Sequence, residues 1–114
     1  MSAARYNLII DQGSDFALEF IVKEDGTAKP LTGYNARAQL RSTKDSESAA
    51  ATFGISIEDG SVTGKIRAAL SSAITGPLTA GRYYYDLELY TTGGTELVTR
   101  LLEGTVTVTR EVTR

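Results

Sequence analysis

The chain has 114 residues, with 12 Lys and Arg against 14 Asp and Glu and a formal net charge of −2. That length suits one core of two packed layers, and the slightly acidic balance argues against a nucleic-acid partner, which calls for a basic surface. The chain contains neither Cys nor His, which removes disulfides, zinc–thiolate sites and thiol nucleophiles together with the commonest general base and metal ligand.

Hydrophobicity alternates with period two through most of the chain, the pattern of strands buried on one face. In a first strand Tyr6, Leu8 and Ile10 share a face, opposed by Asn7 and Asp11. In a second, Phe16, Leu18, Phe20 and Val22 point inward between Asp15, Ala17, Glu19, Ile21 and Lys23, and Phe20 is expected as the central core ring. The third sets Ala36, Ala38 and Leu40 inward, the fourth Ala51, Phe53, Ile55 and Ile57, and the fifth Val62, Ile66, Ala68 and Leu70. The sixth buries Tyr83, Tyr85, Leu87 and Leu89, which turns Tyr84, Asp86, Glu88 and Tyr90 outward. A last segment over 95–112 breaks phase: Leu97 and Leu101 stand in one register, Val106 and Val108 in the other. The slip falls at 101–104, where Gly104 is expected to take a bulge conformation and the strand to bend from one sheet to the other.

Turn chemistry separates the runs. Asp25-Gly26, Asp59-Gly60 and Gly93-Gly94 are hairpin dipeptides that tolerate positive φ, and Pro30 with Gly33 interrupts the chain before the third strand. Ser71 or Ser72 caps about one helical turn ending near Gly76-Pro77, and residues 42–48 form a polar, mobile loop. Seven short strands and one helical turn predict an all-β fold, an antiparallel, immunoglobulin-like β-sandwich. Residues 1–114 form a single domain with short arms at Met1–Arg5 and Arg110–Arg114. Asp11 interrupts the N-terminal region before a signal-peptide core can form, and no apolar run approaches the ~18 residues that span a bilayer. No membrane partner is expected.

Catalytic chemistry finds little to work with. Asp86, Glu88 and Glu103 are the best carboxylate cluster, with Glu19 as a possible fourth member, yet parity puts Asp86 and Glu88 on a solvent face. No serine stands in a Ser-x-x-Lys or Gly-x-Ser-x-Gly setting. The 11–15 loop has the opening of a calcium loop but lacks its later oxygens, so it reads as a turn. No enzyme activity, cofactor or metal is expected. Tyr83 and Tyr85 are expected to fill the core with their hydroxyls bonded at its edge. Tyr84 and Tyr90 face outward beside Asp86 and Glu88, a candidate interface with an aromatic centre and an acidic rim, to which Arg5 and Arg114 in the arms add contacts.

Five segments stand in a recognisable order: 6–13 (YNLIIDQG), 30–34 (PLTGY), 36–41 (ARAQLR), 78–89 (LTAGRYYYDLEL) and 100–108 (RLLEGTVTV). This order resembles a group of small virion structural proteins of tailed phages, cyanobacterial and marine ones among them, across nearly the whole chain. The resemblance implies a virion component assembled in the host cytoplasm, present in several copies or as a homo-oligomer and bound to other virion structural proteins. It implies a place in the tail baseplate or fibre-attachment region, with a head decoration protein as the alternative. A carbohydrate- or receptor-binding sandwich is the competing class, disfavoured by the lack of Trp and of a metal loop.

Overall fold

A computed structural model describes residues 3–24, 26–57 and 64–113. The strands are β1 (Ala4–Arg5), β2 (Leu8–Asp11), β3 (Phe16–Ile21), β4 (Lys23–Glu24), β5 (Thr27–Ala28), β6 (Tyr34–Arg41), β7 (Ala51–Thr52), β8 (Gly54–Ile57), β9 (Lys65–Leu70), β10 (Gly81–Thr91) and β11 (Val98–Thr109), with one helical turn, α1 (Ser72–Thr75). Among the described residues the seven expected strands become eleven: β1 forms in the expected N-terminal arm, the fourth strand is split, and a small β4–β5 hairpin is added. No described helix is long and apolar enough to cross a membrane.

Two sheets share one core. The larger runs β1-β11-β10-β6-β7, with β2 also on β11, and the smaller runs β3-β9-β8. In immunoglobulin terms the smaller sheet is B-E-D, while β6, β10 and β11 take the places of C, F and G. Tyr83, at the start of β10, donates its hydroxyl to the Thr79 carbonyl four residues upstream at 2.6 Å. That is the tyrosine corner of such sandwiches, here without the disulfide that often accompanies it. The sheets are not wholly antiparallel, since β1 and β2 run parallel to β11 along one edge.

Alternation forces the two sheets together. Ala36, Ala38 and Leu40 of β6, Ile66, Ala68 and Leu70 of β9, and Tyr83, Tyr85, Leu87 and Leu89 of β10 are all buried on the facing sides. Phe53, 4% exposed, packs between Phe16 and Tyr85 with ring centroids 6.4 Å away on either side. The ring expected at the centre, Phe20, is only half-buried because β3 is an edge strand, and Phe53 and Tyr85 take the middle instead.

The change of sheet also falls elsewhere than expected. β11 stays in one sheet, and its phase slip is a bulge: Leu87 pairs with Leu102 and Glu88 with Arg100, so Leu101 is the extra residue. The chain crosses between sheets at Phe53–Gly54, where β7 leaves β6 and β8 joins β9. Gly104 has no left-handed backbone. It is small because the edge strand passes over it: an added Cβ would stand 2.5 Å from the Tyr6 carbonyl oxygen.

The connections follow turn chemistry only in part. Gly26 takes a positive φ (+80°) just before β5, whereas Asp25 and the Asp59-Gly60 pair, with Val62, lie outside the described residues. Gly93-Gly94 is not a two-residue turn. Six residues join β10 to β11, held by Thr91, whose hydroxyl donates to Thr95 O and accepts from Leu97 N. The 42–48 loop is tied down by Arg41, which donates to the Ser46 carbonyl at 2.9 Å. The helical turn sits where its sequence predicts but is capped from a distance, the Ser72 N–H donating to the Asp15 carboxylate at 2.7 Å.

These packing differences set an order of stability. Phe53→Ala should cost ~3–5 kcal/mol, as for a fully buried ring, and Phe20→Ala clearly less. Urea unfolding midpoints of the two variants test this; equal losses would mean that β3 is not an edge.

Candidate functional site

The outer face of the large sheet carries the candidate interface, and strand register decides how its residues meet. Across the strands one row reads Arg5, Glu103, Asp86, Gln39, Thr52. On one side of it lies the row Thr105, Tyr84, Arg41, and on the other Arg100, Glu88, Arg37, followed by Val98, Tyr90, Asn35. The acids therefore occupy the middle of β10 with arginines on both neighbouring strands, and the tyrosines stand at the two ends. The expected aromatic centre with an acidic rim is inverted: six steps of extended chain separate Tyr84 from Tyr90, ~20 Å.

The charges are largely paired within the face. Arg37 Nε meets Glu88 at 3.0 Å and its Nη1 meets Glu96 at 3.4 Å, while Arg100 bridges Asp86 at 3.4 Å and Glu103 at 3.2 Å. Each tyrosine is half-buried beneath a cation, Arg37 standing 4.7 Å from the Tyr90 centroid and Lys44 5.8 Å from that of Tyr84. Exposed pairs of this kind contribute little to stability because solvent screens them, so they order the face more than they stabilise the fold. Among the interface candidates, Arg5 is exposed and in register with Glu103, and Arg114 lies outside the described residues. Glu19 is not part of the cluster, since it lies on the outer face of the small sheet beside Lys65 (4.0 Å) and Arg67 (3.7 Å).

The Asp86 carboxyl titrates above the ordinary aspartate range. Partial burial raises its pKa first, Glu88 and Glu103 push the same way, and Arg100 and Arg41 oppose them. Beside it a shallow depression of about 250 Å³ is lined by Arg5, Gln39, Arg41, Tyr84, Arg100 and Glu103, among others. It opens broadly on the strand surface. Among the described residues lining it the other carboxyl is that of Glu103, the directly paired neighbour of Asp86 on the same face.

The residues of the 11–15 loop are engaged in the fold. The Asp11 carboxylate accepts from the Thr109 hydroxyl at 2.8 Å, and Asp15 caps α1. Thr75, fully buried, donates its hydroxyl to Ser14 O at 2.8 Å and accepts from Gly13 N at 3.1 Å. Among the described residues no cluster of three or more acidic side chains could hold a metal ion. Sequence reasoning missed these roles, as it missed Asn7, whose side-chain oxygen accepts from Thr105 N at 3.0 Å in place of a strand carbonyl. Only the Asp15-to-Ser72 cap left a trace, in the capping preference of aspartate.

No protein-family model matches the chain, and no curated protein does. Solved structures give distant likenesses. One is a nucleoside hydrolase-related hypothetical protein from Saccharophagus degradans associated with carbohydrate metabolism, 17% identical over 95% of this chain and 23% of that one, with a TM-score of 0.38. Another is AggA, the major subunit of aggregative adherence fimbriae type I from Escherichia coli, 14% identical over 90% of this chain and 89% of that one, with a TM-score of 0.42. The chain thus spans about a quarter of the first protein's length. Neither likeness is close enough to carry a function across.

The Asp86 environment has a measurable consequence. Because its folded pKa is raised, the folded state keeps a proton that the unfolded chain has already lost, so stability falls as pH rises through that window. Asp86→Asn should therefore be at least as stable as the wild type at pH 7, with the difference closing as pH falls below ~3.9. Urea midpoints measured at both pH values check the sign; a variant less stable at pH 7 and equal at low pH would show that the Arg100 pair outweighs the burial.

Proposed function

We propose that the chain is a non-catalytic structural module of a tailed-phage particle, present in several copies in the virion and bound to other virion structural proteins. The tail baseplate or fibre-attachment region is the preferred location. The ordered resemblance of five segments to small virion proteins supports the phage setting. The observation that carries the structural role is the finish of the surface: the broad face is charge-paired and shallow, while β3 leaves a full-length sheet edge uncovered by any described strand. Polar groups aligned along such an edge recognise another backbone, as assembly modules do, and perform no chemistry.

The edge is preferred over the tyrosine face as the contact surface. Interface aromatics contribute most when clustered at a desolvated centre, whereas Tyr84 and Tyr90 are far apart and each already lies beneath a cation.

Mass spectrometry of purified particles, followed by antibody labelling of intact particles in the electron microscope, tests this reading. The chain should be a stoichiometric component and the label should sit at the tail. Label on the head would move it to a decoration role, and absence from the particles would overturn the virion assignment. Within particles, Tyr84→Ala should incorporate as the wild type does; its exclusion would restore the tyrosine face as the contact.

A further inference from the structure

The sheet edges of this sandwich are not equally protected. β7, at one edge of the large sheet, has two residues, and β8, at one edge of the small sheet, has four and begins with Gly54. The other edge of the large sheet is broken between β1 and β2, where Asn7 replaces a backbone carbonyl by its side chain. Short length and interruption are the usual means by which edges are kept from pairing. β3 has neither. It runs six residues in unbroken register with β9, contains no proline or lysine, and has no described strand on its other side.

Its core-facing side chains are also incompletely covered. Phe16, Leu18 and Phe20 point into the sandwich yet are only half-buried, while their opposite numbers on β9, Leu70, Ala68 and Ile66, are almost wholly buried. Three large apolar groups in a row therefore await cover along the same edge that offers free backbone groups. On the outer side the strand shows Ala17, Glu19 and Ile21, all exposed.

We infer that the occupant is β3 of a second copy, paired antiparallel across a two-fold axis so that the two small sheets become one of six strands. The strand is complementary to itself in one register. With Leu18 opposite Leu18 of the second copy, Phe16 meets its Phe20 and Phe20 meets its Phe16, so every core-facing residue finds an apolar partner. On the outer side of that register each Glu19 meets an Ala17. Sliding by two residues toward the C-terminal end of the strand, with Glu19 on Glu19, would instead set like charges directly opposite each other and put Phe20 opposite Leu18. A contact of this kind is isologous and closes at two copies, which suits a component used repeatedly in a symmetric particle.

The inference rests on the assembly reading above for its setting, and the isolated chain tests it separately. Sedimentation equilibrium of the purified full chain should show a monomer–dimer equilibrium. Ala17 is exposed and faces Glu19 of the second copy twice per dimer, so Ala17→Glu should weaken dimerisation about tenfold and Ala17→Lys should tighten it about threefold. Alternate amides of residues 16–21 should gain hydrogen-exchange protection in the dimer, and the thermal midpoints of the dilute variants should show that both fold. A chain that stays monomeric at millimolar concentration, or a dimer indifferent to both substitutions, overturns the inference. A monomer found in purified particles would sink the β3 contact alone, whereas a dimer absent from particles would sink the virion reading alone.

Discussion

Tyr85 is the side chain on which both the core and the closure of the large sheet depend. Its ring packs against Phe53, the residue at which the chain crosses between sheets. Its hydroxyl donates to the Tyr6 carbonyl at 2.5 Å, anchoring the N-terminal edge strand to a partner 79 positions away. The contact is possible because Gly104, directly opposite Tyr85 on β11, leaves room for Tyr6 and Asn7 to pass close by. Burial pushes the Tyr85 pKa up to about 12, with Tyr6 adding to the shift, so the phenol remains a donor at any ordinary pH. One residue thereby couples core packing, sheet closure and the position of the N-terminal strand.

The second constraint is the mismatch between the sheets. Among the described residues six strands face three, and placing β2 on β11 rather than beside β3 widens that inequality. Had β2 joined the small sheet, β3 would be internal and Phe16, Leu18 and Phe20 would have cover. Instead the parallel pairing completes the large sheet and leaves the small one open on one side. Folding and assembly are linked here, because the choice that finishes one edge exposes the other.

The charged face has a different meaning. Asp86, Glu88 and Glu103 would repel one another on adjacent positions, and Arg100 and Arg37 hold them at tolerable cost. The raised pKa of Asp86, where partial burial and the neighbouring Glu88 and Glu103 outweigh Arg100 and Arg41, shows that this compensation is incomplete. Such a surface is hydrated and specific in its pairing, and it favours solubility over adhesion.

Much of the fold was legible because alternation is a local property. The inward sets of β6, β9 and β10 follow from parity alone, since a one-residue slip would turn each apolar row to solvent. The helical turn at Ser72–Thr75 and the positive φ at Gly26 were likewise written in local chemistry. Parity also placed Tyr84, Asp86, Glu88 and Tyr90 outward. Parity tells which way a side chain points and nothing about what lies beside it. Whether Arg37 covers Tyr90, whether β2 joins β11 or β3, and whether Phe20 or Phe53 is central depend on strands distant in sequence becoming neighbours. Those contacts are chosen by the packing of whole sheets, where burial summed over many residues outweighs any local preference, and only the tertiary structure decides them.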